Sequence, residues 1–222
     1  MKKYLIVILF FCYGINYSYS QRVTIKNIES KLVTHQGVEF IGELKDKNND
    51  LYKFQNWKNL GLIHQEGKVY MLSNLNFNIV NNSFVSRIDR NKMFVFKNSL
   101  IDSVVINKHI FKNVNNYFYE VLSEKESYMF LKKYDINYKE GKINRMGGAL
   151  GQPKTLLVLN YLVKSDDGFS KIELNKKSVI AFFEKNKEKL TNFVKEEHLS
   201  YKKEKDVKRI LEYMLMDSTS NI

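Results

Sequence analysis

The sequence lacks most of the reactive groups by which enzymes and metal-binding proteins are recognised. Cys12 is the only cysteine in 222 residues, and it lies within an apolar N-terminal stretch. If that stretch is removed, the remaining chain can form no disulfide and provides no thiolate for catalysis or for a metal ion. The bulky Phe10 and Phe11 precede Cys12 where a lipid-modified cysteine needs a small residue, so lipidation is not expected.

Recognisable catalytic and cofactor motifs are missing as well. The four histidines are scattered along the chain: His35, His64, His109 and His198. No second histidine or acidic pattern completes a metal site around them, and no Gly-x-Ser-x-Gly elbow marks a serine nucleophile. Pro153, the only proline, precedes Lys154 and Thr155 where a phosphate loop needs glycine. The sequence therefore predicts no catalytic residue, no cofactor and no metal ligand.

The most obvious pairs of acidic residues, of the kind that glycosidases use, lie where turns are predicted. Asp166 and Asp167 precede Gly168, and Glu124 and Glu126 fall in a second predicted turn. The sequence does not decide whether two distant carboxylates meet in the fold. A hydrolase that acts on glycan or peptide through such carboxylates is therefore kept as the alternative function.

The N-terminal residues have the pattern of a cleavable signal peptide. Lys2 and Lys3 form a short positive region, and the apolar run that follows carries no charge. That run is about ten residues long, too short to cross a bilayer as a helix. Ser18 and Ser20 then provide the small side chains that a signal peptidase requires. We expect residues 1–20 to be removed and the protein to be exported to the periplasm, the outer membrane or the medium; an uncleaved membrane anchor is the alternative.

The chain is basic. Its formal net charge of +12 falls to +10 without Lys2 and Lys3. A positive charge attracts anionic partners, but lysines alternate with acidic residues, as in residues 185–189, which is typical of a solvated surface. Export argues against nucleic acid as a partner. A weak contact with an anionic surface is expected from the basic residues near the C-terminus: Lys202, Lys203, Lys205, Lys208 and Arg209.

From residue 38 to residue 174 the pattern is that of short strands joined by tight turns. Glu66 and Gly67 separate two apolar runs, and glycine accepts the positive φ that such a hairpin turn requires. From Asn74 to Val80 apolar residues alternate with asparagines, which predicts a strand with one buried and one solvated face. Glycines and Pro153 predict a loop over residues 139–154. The predicted strands cover 38–44, 51–54, 61–65, 68–72, 74–80, 83–88, 92–97, 100–107, 109–114, 117–123, 127–134, 155–163 and 169–174.

At Asn175 the apolar period changes to that of helices. Asn175 or Ser178 is predicted to cap a first helix, and Ser200 to cap the last one. The sequence therefore predicts an α+β fold, in which a mainly antiparallel β meander (a sheet, a sandwich or a partly closed barrel) precedes C-terminal amphipathic helices. The predicted divisions are a signal peptide over 1–20, a single domain over 21–217 (β-rich over 21–174, helical over 175–217) and a frayed tail over 218–222.

Three segments carry a resemblance to a known group of proteins. They are Asn56-Trp57-Lys58-Asn59, the run from Leu72 to Asp89 that contains Leu-Ser-Asn-Leu-Asn-Phe-Asn and Asn-Ser-Phe-Val-Ser-Arg-Ile-Asp, and the ending Lys202-Lys203-Glu204-Lys205-Asp206-Val207 with Leu211-Glu212-Tyr213. In these segments the chain resembles uncharacterised exported proteins of flavobacteria and related Bacteroidetes. The resemblance implies export and a strand-then-helix plan, and it implies no activity. We therefore expect a non-enzymatic binding or scaffolding module of the cell envelope, whose partner is an envelope protein or glycan.

Overall fold

The computed structural model describes residues 21–23, 26–28, 31–33, 39–46, 51–125, 128–139 and 154–216. The predicted signal peptide, the predicted tail and residues 140–153 of the predicted loop lie outside the described residues. Within these ranges the strands are β1 Gln21–Val23, β2 Lys26–Ile28, β3 Lys31–Val33, β4 Glu39–Asp46, β5 Leu60–Gln65, β6 Lys68–Ser73, β7 Leu75–Asn78, β8 Ser83–Arg87, β9 Lys92–Phe96, β10 Ser103–Ile106, β11 His109–Val114, β12 Tyr117–Lys125, β13 Tyr128–Lys139, β14 Lys154–Ser165 and β15 Gly168–Ile172. The helices are α1 Lys176–Phe182, α2 Lys187–Glu196 and α3 Glu204–Met216.

The strands form two sheets. The larger sheet has the order β1-β6-β5-β10-β11-β12-β13-β14-β15, and the smaller has the order β2-β3-β4-β9-β8-β7. Among the described strands, β1 and β6 are the one parallel pair. The predicted α+β fold, with antiparallel strands before C-terminal helices, is confirmed.

Two-residue turns with positive φ set the register of three hairpins. Both residues have positive φ in Glu66–Gly67, Asn107–Lys108 and Asn115–Asn116. This backbone shape matches the right-handed twist of the flanking strands, and asparagine and glycine adopt it at the lowest cost. The turn predicted at Glu66–Gly67 is therefore confirmed.

The two sheets pack face to face over an aromatic core. Phe77 of the smaller sheet lies 5.1 Å, between ring centroids, from Phe84 and 4.9 Å from Phe111 of the larger sheet. Ile63, Val104 and other inward side chains of the larger sheet complete this cluster. Because such rings bury large apolar areas, this cluster is a major source of stability for the sandwich half of the fold.

The helices cover the same face of the larger sheet at its β13–β15 end. Val207, Ile210, Leu211 and Met214 form a buried stripe on α3, which packs with Phe130 in a second hydrophobic cluster. Asn175 caps α1, as predicted, because its side chain accepts a hydrogen bond from the main-chain N–H of Ser178 at 2.8 Å.

Several local predictions are wrong. Residues 51–54 form no strand, and only an isolated bridge links Tyr52 to Asn78. Asn76 and Asn78 are buried rather than solvated, so β7 is covered on both faces. The residues from Asn98 to Leu100 form a 3-10 turn before β10.

Three boundaries also differ from prediction. The strand β13 runs five residues past Tyr134, because β14 pairs with it as far as Lys139. The last helix begins at Glu204, so Ser200 does not cap it. Glu124, predicted to lie in a turn, belongs to β12 and pairs with Met129.

Candidate functional site

A buried asparagine fixes the irregular segment that precedes β5. Asn76 is fully buried, and its Nδ2 donates to the carbonyl oxygen of Phe54 at 2.7 Å while its Oδ1 accepts from the Phe54 N–H at 3.1 Å. The side-chain amide thus satisfies both main-chain groups of one residue, as a neighbouring strand would. The adjacent N–H of Lys53 donates to the Phe77 carbonyl at 2.9 Å, which holds Lys53 over the sandwich.

Lys53 meets a buried carboxylate at the boundary between the two hydrophobic clusters. Glu120 of β12 is 4% exposed, and its Oε2 accepts from Lys53 Nζ at 3.0 Å. The hydroxyl of Tyr134 on β13 donates to the same oxygen. His109 Nδ1 lies 2.5 Å from Oε1 and donates to it, since an ionised carboxylate only accepts. Both carboxylate oxygens are therefore bonded.

Lys132 extends this network to the last helix. Its Nζ lies 3.4 Å from Glu120 Oε2 and donates to Glu204 Oε1 at 3.0 Å. Tyr161 of β14 donates its hydroxyl proton to Glu204 Oε2 at 2.8 Å. We refer to the whole set as the buried cluster: Lys53, His109, Glu120, Lys132, Tyr134, Tyr161 and Glu204.

The surroundings fix the protonation states in the buried cluster. Burial by itself would raise the pKa of Glu120, but the hydrogen bonds from Tyr134 and His109 and the charges of Lys53 and Lys132 outweigh it and lower that pKa to about 2. Burial and the neighbouring Glu120 raise the pKa of the Tyr134 hydroxyl. Burial lowers the pKa of Lys53, and Glu120 partly offsets that effect. At neutral pH Glu120 is ionised and Tyr134 is neutral.

The buried cluster is poorly suited to acid–base catalysis. Glu120 and Glu204 do come together on Lys132, as a hydrolase with fold-assembled carboxylates would require. A catalytic acid needs a pKa raised toward the working pH, whereas the pKa of Glu120 is lowered. The hydrolase alternative stays a prediction, and the geometry of the described residues adds no support to it.

Below the buried cluster, β12 and β13 separate. Their ladder begins with the pair Glu120 and Lys132, while residues 117–119 of β12 pair only with β11 among the described strands. On the other side, β13 continues alone with β14 as far as Lys139. The separation opens a cleft of about 410 Å³ between the two strands.

A second asparagine occupies the place that β13 leaves. Asn82 is buried, and its amide donates to the carbonyl of Phe118 at 3.0 Å and accepts from the N–H of Phe118 at 2.7 Å. The Asn82 side chain therefore provides hydrogen-bond partners for the main chain of β12, as the Asn76 side chain does for the main chain of Phe54. Asn98 supports it, because its Nδ2 donates to the carbonyls of Asn82 and Asn116 at 2.8 and 3.1 Å. Asparagines thus connect the loops that form one wall of the cleft.

The other wall is the edge of β13 that has no strand partner among the described residues. The hydroxyl of Tyr117 donates to the Tyr134 carbonyl at 3.4 Å, which shows that this carbonyl points toward β12. Main-chain groups alternate sides along a strand, so those of Ile136 and Tyr138 point the same way, into the cleft. Among the described residues, no main-chain partner meets them there.

The cleft is open and of mixed polarity. Its lining comprises Ile79, Val80, Asn81, Asn82, Asn98, Asn116, Tyr117, Lys133, Tyr134, Asp135, Ile136 and Tyr138. Tyr138 is 68% exposed at its mouth. Lys133 donates to Asp135 at 2.9 Å, so these two charges neutralise each other. Tyr134 belongs to the buried cluster and also lines the cleft. The hydrogen bond from Tyr134 to Glu120 therefore fixes one residue of the cleft lining.

The sequence-predicted candidates have separate positions. His109 joins the buried cluster, His64 lies on β5, His198 follows the end of α2, and His35 lies outside the described residues. Asp166 and Asp167 form the predicted turn into Gly168. In the part of the chain that the structure describes, no three His, Cys, Asp or Glu side chains form a metal-binding group.

The basic side chains near the C-terminus are partly paired. Arg209 donates to Glu197 at 2.7 Å, and Lys208 lies 3.8 Å from Glu212. The contact with an anionic surface stays a prediction. No described helix combines the length and the apolar character needed to span a membrane.

The sequence predicted neither the buried cluster nor the cleft. One signal was present: Glu120 shares the strand face of Phe118, and Lys132 shares that of Phe130 and Tyr134, so each charge lies among core residues. Charged side chains at inward positions of both arms of a hairpin indicate a buried ion pair. Comparison of the chain with family models, with curated proteins and with solved structures finds no match.

Proposed function

We propose that the protein is an exported, non-enzymatic binding module of the cell envelope and that the cleft between β12 and β13 is its binding site. The observation that carries the proposal is an open cleft whose wall includes main-chain groups of Ile136 and Tyr138 without partners among the described residues. Binding sites combine apolar surface with a few polar groups that fix orientation, and the cleft contains both.

The buried cluster supports this role by holding the cleft open. Glu120 and Lys132 form the last pair before the strands separate, and α3 is attached there through Glu204. Neither lysine of the cluster exposes more than 11% of its side chain. Its reactive groups are engaged with one another, so it acts as a rigid support for the cleft and leaves recognition to the cleft lining.

Substitution at the mouth of the cleft tests the binding role. The chain would be purified from the envelope or medium of its native host, where N-terminal sequencing should begin at Gln21. Immobilised protein would then be incubated with labelled envelope extract. Tyr138→Ala, which removes a ring that is 68% exposed, should lower the bound label several-fold, because a ring at a binding site contributes large contact area.

The matched control is Leu60→Ala, which removes a side chain that is 49% exposed on β5, outside the cleft lining. Both variants should unfold at nearly the wild-type temperature. Equal retention of label by the two variants would show that the cleft is not the binding site, and an N-terminus at Met1 would contradict the removal of residues 1–20.

A further inference from the structure

We infer that the ligand of the cleft is an extended protein segment, which adds as a strand to the edge of β13 that no described strand pairs with. This inference rests on the proposed function, since it names the partner class for the same site. Some hydrogen-bonding groups in the cleft already have partners among the described residues, and others do not.

The direction of the main-chain groups follows from several contacts. The N–H and C=O of Phe118 point toward β13, because Asn82 binds both of them there. Glu120, two residues on, shares this direction and pairs with Lys132. Main-chain groups alternate in direction along a strand, so every second residue of β13 has the same direction as Lys132. The N–H and C=O groups of Tyr134, Ile136 and Tyr138 therefore face the space between β13 and β12.

Several polar side chains of the cleft are already bonded, while Asn98 Oδ1 is buried without a partner among the described residues. Asn82 uses its amide on Phe118, Asn98 donates to two carbonyls, and Lys133 and Asp135 bind each other. The groups left for a ligand include a donor and an acceptor at Ile136 and again at Tyr138. A sugar would need side-chain groups aimed at its hydroxyls, whereas donors and acceptors repeated at every second residue match a peptide backbone.

Apolar side chains also line the cleft beside this edge. Ile79 and Val80 line the wall opposite β13, and Val80 is 43% exposed. Tyr117 of β12 and Tyr138 of β13 add aromatic surface to the lining. Alternate side chains of an added strand would contact these surfaces, which gives a preference for uncharged segments with apolar residues at alternate positions.

The experiment separates the main-chain donor from the side chain at one position. A displayed library of random twelve-residue peptides would be selected on the full secreted chain, and the enriched peptides titrated by fluorescence anisotropy. Ile136→Pro removes the N–H that faces the cleft and leaves the ladder with β14 intact, as proline permits on a strand edge. Ile136→Ala removes the same side chain and keeps the N–H, so it is the matched control.

We expect Ile136→Pro to weaken peptide binding about tenfold relative to Ile136→Ala, the size expected when one main-chain hydrogen bond is lost on binding. Methylation of alternate peptide nitrogens should weaken binding to the wild type, which tests the same bonds if the proline variant folds poorly. The amides of Ile136 and Tyr138 should exchange rapidly in the free protein and slowly in the complex.

The inference is overturned if proline and alanine variants bind equally, if no peptide is enriched, or if the two amides are already protected in the free protein. If Tyr138→Ala still lowers retention of envelope label while peptides show no dependence on the Ile136 N–H, the binding role stands and the strand-addition inference fails. If neither variant changes any binding, both fail.

Discussion

Glu120 is the central residue of the buried cluster, which lies at the boundary between the two hydrophobic clusters. Its carboxylate is the shared acceptor for Lys53, His109 and Tyr134 and lies 3.4 Å from Lys132. Removal of its charge leaves Lys53 buried without a carboxylate partner and Lys132 with Glu204 alone, and breaking a buried ion pair costs about 3–5 kcal/mol. We expect Glu120→Gln to lower the free energy of unfolding by about 3 kcal/mol, measured by urea denaturation.

The control for this substitution is Glu124→Gln on the same strand. Glu124 pairs with Lys112 at 2.5 Å, but both side chains are more than a third exposed. Exposed pairs contribute under about 1 kcal/mol. Equal destabilisation by the two substitutions would contradict a special role for the buried carboxylate.

The pH dependence of stability provides a second measurement on Glu120. Its pKa is about 2 in the folded chain against an ordinary value of 4.5, so its ionised form stabilises the fold above pH 4.5. This contribution, of roughly 3 kcal/mol, is lost as the pH falls from 4.5 toward 2. Wild-type stability should therefore fall more steeply over that interval than that of Glu120→Gln. Parallel curves would show that the carboxylate is not held in its charged form.

At the scale of elements, the side chain of Asn82 makes the hydrogen bonds to β12 that a neighbouring strand would otherwise make. Its amide satisfies the N–H and C=O of Phe118 in a buried position. Asn82→Ala leaves both groups without partners, and an unsatisfied buried group costs about 1–3 kcal/mol. We expect a loss of about 3 kcal/mol in the free energy of unfolding, against under about 0.5 kcal/mol for Asn81→Ala at the exposed neighbouring position. Similar losses for the two variants would show that water replaces the amide without cost.

Tight turns and helix caps could be predicted because their signals are local. The turn at Glu66–Gly67 and the cap at Asn175 depend on residues adjacent in sequence. The roles of Asn76 and Asn82 could not be predicted, because their amides bind main-chain groups far away in sequence. The separation is 22 residues for Asn76 and 36 residues for Asn82. An asparagine in an alternating strand, such as Asn76, or between two strands, such as Asn82, has the same local pattern whether it faces water or substitutes for a neighbouring strand. The cleft was missed for the same reason.

At the scale of the molecule, two hydrophobic clusters share one sheet. Tyr134 belongs to the sandwich cluster, while Phe130 of the same strand belongs to the helical cluster, and Lys132 lies between them. A continuous strand and a network of buried charges therefore cross the boundary. Such coupling favours a single cooperative transition. The division into one domain over residues 21–217 stays a prediction.

Trp57 makes this cooperativity measurable. It is the only tryptophan and lies in the sandwich half, 4.9 Å from the ring of Tyr52, whereas circular dichroism at 222 nm reports mainly on the helices. Leu211→Ala on α3 removes a fully buried side chain, which costs about 2–5 kcal/mol. We expect the fluorescence and dichroism transitions to coincide in wild type and to move together in Leu211→Ala. A shift in the dichroism transition alone would mean that the helices unfold independently of the sandwich, and the buried charges would then bind two separately folding parts.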